Sequence, residues 1–249
     1  MAEVLVLVHR SCASSYKLYK ELLSRGLLGR VRLVPVRGPE YGGRLVWSVP
    51  WLLYNGEPAG SDPLDPGVVE AAVEGSGLEP PADPVEAFME AVLHSSAASS
   101  LVALNYSLEP VLSEDLAKAA LHTPLTGVDP REVLARVRAE AGGLVEEWSV
   151  KIGRALAMGF VRELWWSRGG SLGPEDVERA VEGGLFRLWL LAKASLGRSG
   201  LPGDPRFKPN PIVEEAESFL SRVGSILAGR VEREQREILG DEEWGKIAG

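Results

Sequence analysis

Val4-Leu-Val-Leu-Val8, followed by His9-Arg10-Ser11-Cys12-Ala13-Ser14-Ser15, decides how the chain is read. Five apolar residues, three of them β-branched, make a run short enough for a buried strand. Tyr16, Tyr19, Leu22 and Leu23 then recur at helical spacing, so a helix follows. The only cysteine, Cys12, therefore sits where a strand hands over to a helix. Unpaired N–H groups and the positive end of the helix dipole favour a thiolate there, and Arg10 two residues earlier adds to the effect. The alternative is a packed, inert thiol.

Local signals extend this start. Gly26 ends the helix in a left-handed cap, and residues 31–36 form a second strand, parallel to the first through a right-handed crossover. Residues 38–43 carry no periodicity and read as a loop. Asn55-Gly56 between apolar runs predicts a hairpin, and Pro50 at the start of its first arm marks an edge, a strand start or a cis bond. Asp65-Pro66 opens a helix reaching about Val73, with Asp65 as its N-cap.

This order (strand, cysteine turn, helix, strand, loop, proline-started hairpin, helix) resembles the thioredoxin fold, in its glutaredoxin and glutathione-transferase branch, over roughly residues 3–75. The resemblance implies that Cys12 is the nucleophile and Val49-Pro50 the Val-cis-Pro that faces it. Gly60-Ser61-Asp62 becomes the turn that holds a γ-glutamyl group. The implied cofactor is glutathione or another low-molecular-weight thiol, with no metal. The family's second cysteine falls on Ser15, which makes this a monothiol version. Its Pro-Phe or Pro-Tyr is Ala13-Ser14, and its upstream lysine is His9 with Arg10 beside it. Its second helix is shortened or replaced by the loop around 38–44.

Residues 75–84 are rich in glycine and proline and read as a linker, about 77–83, between an α/β thioredoxin-like domain (1–76) and an all-α domain (84–249). Asp83-Pro84 starts a helix with Phe88, Val92, Leu101 and Leu104 along one face; Ser113 caps a short one. Asp129-Pro130 starts a long one that Gly142-Gly143 divides or leaves whole. Gly173-Pro174 starts another, carrying Val177 through Leu191, and Asn210-Pro211 the last long one. The stretch 198–209 reads as a long surface connection. The two-domain order is the glutathione-transferase architecture, which implies a homodimer, although no Ser/Thr-x-x-Asp capping motif of that family is evident.

Composition narrows the function. The 249 residues carry a net charge of −8, with 45% hydrophobic and 25% charged side chains, as in ordinary globular proteins. Net acidity argues against a nucleic-acid partner, which needs a basic footprint. One cysteine excludes a disulfide framework within the chain and suits a reducing cytoplasm. Glu3 directly after Met1-Ala2 argues against a secretory signal. The most apolar helical run, 185–196, contains Arg187 and Lys193 and is too short for a bilayer, so no membrane partner is expected. Three Asn, one Gln and two Thr fit a thermophilic source.

The expected activity is thiol–disulfide exchange or thiol transfer through Cys12 with a small-molecule thiol. The competing reading is a non-catalytic thioredoxin-fold scaffold for protein interactions. Around Cys12, Ser11, Ser14 and Ser15 either donate hydrogen bonds to sulfur or cap the helix. His9 and Arg10 either offer charge to a carboxylate or are ordinary strand-end residues. Ser61 and Asp62 either orient a γ-glutamyl group or form a plain turn. Trp51 is expected in the core, as are Trp148, Trp165, Trp166 and Trp189, whose alternative is an acceptor pocket. His94 and His122 are placed on separate helices without a carboxylate or histidine one turn away, and so are not read as metal ligands.

Overall fold

The computed structural model describes residues 2–173, 175–195 and 210–249. The chain divides into two compact units: Met1–Ser95 with Leu112–Ala139 and Ile238–Gly249, and Ser96–Val111 with Glu140–Glu237. The division does not coincide with the linker at 77–83. Helices beyond the linker and the C-terminal segment belong to the first unit, together with the sheet.

In the first unit, β1 (Val4–Val8) is buried along its whole length, as its unbroken apolar run requires. It pairs in parallel with β2 (Arg32–Pro35) and antiparallel with β5 (Trp51–Tyr54), which pairs antiparallel with β6 (Glu57–Gly60). The sheet order is β2-β1-β5-β6. Val4, Val6 and Val8 share a core with Leu18, Tyr19 and Leu22 of α1 (Ala13–Ser24) and Val68, Val69 and Ala72 of α2 (Pro66–Glu74). Leu5, Leu7, Trp51 and Leu53 alternate to the opposite face and are also buried. Each such side chain contributes roughly 1.5–3 kcal/mol of burial free energy.

Local chemistry explains most of the boundaries. Asn55 (φ 51°) and Gly56 (φ 81°) turn the β5–β6 hairpin in the left-handed region, which these two residue types tolerate best. Gly26 (φ 69°) follows the end of α1, and the Asp65 side chain caps α2 by accepting from Gly67 N. The stretch 38–43, expected as a plain loop, carries instead a two-residue ladder, β3 (Glu40–Tyr41) with β4 (Arg44–Leu45), turned at Gly42-Gly43.

Beyond the linker, Asp83 caps α3 (Pro84–His94). The single helix expected to continue to Leu104 is two. Ser95 is extended (φ −97°, ψ 108°) and buried, its hydroxyl is drawn to the Trp47 carbonyl, and α4 (Ser96–Asn105) begins after it. α5 (Glu114–Ala120), capped by Ser113, and the one-turn α6 (Thr123–Thr126), which periodicity was too short to reveal, pack on β6. α7 (Pro130–Ser167) is continuous through Gly142-Gly143 and supplies its residues through 139 to the first unit.

In the second unit the helix expected from 174 onward is broken. α8 (Asp176–Glu182) and α9 (Leu185–Ser195) are separated at Gly183-Gly184, where Gly184 has φ 74°. Pro174 and the 198–209 connection lie outside the described residues. Asn210 caps α10 (Pro211–Gly240), its Oδ1 accepting from the amides of Ile212 and Val213. Phe160, Phe186 and Trp189 form an edge-and-stack cluster, and Trp148 and Trp165 are buried. Trp166 departs from the core expectation at 38% exposure, its indole donating to Gln235. Among the described residues no single helix is long and apolar enough to cross a membrane.

The C-terminal helix also had no counterpart in the sequence. α11 (Glu242–Ala248), capped by Asp241, returns to the first unit and packs at β2.

Candidate active site

Cys12 closes a turn after β1, its amide donating to the His9 carbonyl at 3.0 Å. It is the N-cap of α1 (φ −85°, ψ 117°), so sulfur takes the place usually held by a hydroxyl or carboxylate oxygen. Sγ accepts from Ser15 N at 3.4 Å. As a thiol it also donates to the Val49 carbonyl at 3.1 Å. The residue is half-buried.

The opposing wall comes from two short segments, 48–50 and 61–62. Val49-Pro50 is cis, as is Asp62-Pro63. Ser48 Oγ accepts from Asp62 N at 3.2 Å, which ties the segments together, and Trp51 beside Pro50 is core. Pro50 and Ser61 are buried. Asp62 is buried, 8% exposed, and its carboxylate takes a hydrogen bond from Ser14 Oγ at 3.2 Å. Ser48 and Val49, adjacent in the chain, thus hold Asp62 and Cys12 respectively.

His94, in the last turn of α3, faces the same carboxylate with Nδ1 3.9 Å from Asp62 Oδ2. Its Nε2 lies 3.5 Å from Glu90 Oε2, one helical turn back. This corrects the reading of His94 as lacking such a partner. His122 donates from Nδ1 to the Ala59 carbonyl at 2.8 Å and is mostly buried, which lowers its pKa.

The electrostatic balance at Cys12 runs against the helix-end expectation. Burial pushes the thiol up, and the nearby Asp62 charge pushes it further. Hydrogen bonds from Ser15 and Ser14 oppose this without reversing it. Arg10 does not help. Its carbonyl accepts from Trp244 Nε1 at 3.0 Å, and a β-carbon at Gly249 would lie 3.5 Å from its Nη1, so the guanidinium lies along the end of α11. His9 and Ser11 are engaged with each other, Nδ1 to Oγ at 2.8 Å.

Of the residues expected at the site, the fold gathers Cys12, Ser14, Ser15, Val49 and Asp62. Arg10 and Ser11 are turned to other partners. Ser48, His94 and Trp244 were not anticipated. The i,i+4 spacing of Glu90 and His94 was the available signal for one of them.

No family model, curated protein or solved structure matches this chain.

Chemically the array offers one sulfur that becomes a nucleophile on losing its proton, and a main-chain carbonyl that holds that proton. A buried carboxylate with hydroxyls and an imidazole around it stands nearby.

Proposed function

We propose that the first unit is a thioredoxin-like domain of the glutaredoxin and glutathione-transferase kind, acting as a monothiol through Cys12. The observation that carries the reading is the placement of Sγ, capping α1 through Ser15 N and facing the Val49 carbonyl just ahead of Pro50. The sheet order β2-β1-β5-β6, with β1 parallel to β2 and antiparallel to β5, supports it.

In the proposed step, Cys12 sulfur attacks one sulfur of a small-molecule disulfide. A new S–S bond forms to Cys12, the original S–S bond breaks, and the thiol proton passes to the departing sulfur. Ser15 cannot resolve the product, so a second small-molecule thiol attacks the mixed disulfide and restores the Cys12 thiol. Glutathione or another low-molecular-weight thiol serves as that co-substrate.

A second reading is a non-catalytic interaction scaffold. It is favoured by the upward push on the Cys12 thiol, which leaves little thiolate at neutral pH.

Incubation of the full chain with hydroxyethyl disulfide, followed by intact-mass measurement, separates the two. A mixed disulfide on Cys12 that is released by added thiol, and is absent in Cys12→Ser, is the expected result. A thiol that stays unmodified over hours, while a free cysteine peptide reacts, leaves the scaffold.

A further inference from the structure

The sheet of the first unit ends at β6, whose register with β5 slips by one between Leu52 and Leu53. Ala59 is the extra residue of that bulge and stands opposite no residue of β5. It is fully buried, and its carbonyl accepts from His122 Nδ1 at 2.8 Å. His122 reaches it from the corner between α5 and α6, both of which pack on β6.

Three costs meet in this corner. The His122 backbone has φ 52°, a left-handed region uncommon outside glycine. Thr123 Oγ1 is shut away from solvent with no hydrogen-bond partner among the described residues. The His122 imidazole is largely covered, and among the described residues no carboxylate forms an ion pair with it. The charged groups around it are engaged with one another. Glu57 of β6 binds Arg44 and Lys118, while Glu114 and Asp115 of α5 bind Lys118 and Arg44. Arg131 of α7 joins through Glu114, and Asp129 accepts from Arg131 N. Asp65, whose charge acts on the ring from the head of α2, accepts from Gly67 N. α6 itself, Thr-Pro-Leu-Thr, carries no charge.

We propose that the His122–Ala59 contact is an acid-sensitive latch: when the imidazole takes up a proton, the corner 122–127 lifts from the edge strand β6 while the rest of the sheet stays folded. The neutral ring donates from Nδ1 and leaves Nε2 bare. A proton on Nε2 adds a charge where no counter-ion touches it, whereas a lifted ring is hydrated and protonates at the ordinary value, ~6.5. The closed corner is therefore favoured above that value and loses ground as pH falls below it. Lifting also relaxes the left-handed residue and hydrates the Thr123 hydroxyl, and it leaves the β1–β5 ladder untouched. Few main-chain bonds resist it, among them Leu78 N to the Leu125 carbonyl at 3.0 Å. The released edge runs through Gly60 into Ser61, at the root of one wall of the candidate site. The latch itself requires no chemistry at Cys12.

Hydrogen–deuterium exchange of the full chain at pH 7, 6 and 5, corrected for intrinsic rates and repeated in low urea, tests the latch. The reporters are the amides of Leu125, Thr126 and Gly127, which donate to the His122 and Thr123 carbonyls, with the amides of β1 as reference. The corner amides are expected to exchange faster than those of β1, by an opening that urea barely affects. Their protection is expected to fall about tenfold from pH 7 to pH 5. His122→Asn keeps a donor and suits the left-handed backbone, and its corner should hold the same protection at all three pH values. Corner amides that match β1 in protection and urea dependence overturn the latch, since only global unfolding then exposes them. So does protection that is unchanged by acid, or an acid loss that persists in His122→Asn. If that variant does not fold, an NMR titration of the His122 ring in the unaltered chain replaces it. The ring and the corner protection must then share one midpoint, and separate midpoints overturn the proposal.

Discussion

Trp244 Nε1 donates to the Arg10 carbonyl at 3.0 Å, joining residues 234 positions apart in the chain. The indole is fully buried against Tyr16 and Tyr19, at ring-centroid distances of 5.9 and 5.2 Å. Asp241, which caps α11, accepts from Tyr16 Oη at 3.1 Å and Lys20 Nζ at 3.2 Å. The C-terminal helix therefore braces both the turn that carries Cys12 and the helix that Cys12 caps.

Trp244→Ala should cost about 3–5 kcal/mol of stability, the range for emptying a buried aromatic site. Trp244→Phe keeps ring packing and loses one hydrogen bond, about 1 kcal/mol. Urea unfolding of the two variants measures the difference.

Alkylation of Cys12 should follow an apparent pKa above that of an ordinary thiol, because burial and Asp62 both disfavour the thiolate. Asp62→Asn removes the second cause and should raise the rate near neutral pH about tenfold. Iodoacetamide kinetics across the pH range report this directly. A rate unchanged by the substitution means that Asp62 does not act on the sulfur.

His122 makes stability fall on acidification. Burial lowers its pKa in the folded chain, so its contribution is fully present above the ordinary histidine value and is lost as pH falls through the folded one. His122→Asn keeps a donor for the Ala59 carbonyl and suits the left-handed backbone at φ 52°. The variant should show a flatter melting temperature between pH 7 and pH 5 than the unaltered chain, by calorimetry.

Two glycines of α7 should respond in opposite directions. A β-carbon at Gly153 would lie 2.8 Å from the Ile212 carbonyl and 3.2 Å from Ala216 N, both main-chain atoms of α10. Gly153→Ala must push the helices apart and should cost roughly 1–3 kcal/mol. Gly142 has open space at that position, so Gly142→Ala should gain about 0.5–1 kcal/mol from helix propensity alone. Thermal melts of the pair give the signs.

Local chemistry was readable directly. The apolar run Val4–Val8, the Asn55-Gly56 turn and the caps at Asp65, Asp83, Ser113 and Asn210 each depend on a few neighbouring residues, and each stands where spacing put it. Breaks within apolar stretches were harder to see. Ser95 interrupts a helix because its hydroxyl reaches Trp47, 48 positions back, while the Gly142-Gly143 pair interrupts nothing.

Sequence alone determined that Cys12 stands between a buried strand and a helix, because hydrophobic periodicity and turn chemistry are short-range. Tertiary structure decided the state of its sulfur. Asp62 and Val49 come to it from the far side of a hairpin, Trp244 from the other end of the chain takes the Arg10 carbonyl, and the Arg10 guanidinium lies along α11. A charge's influence depends on distance through space and on what lies between, and neither quantity is written in the order of residues.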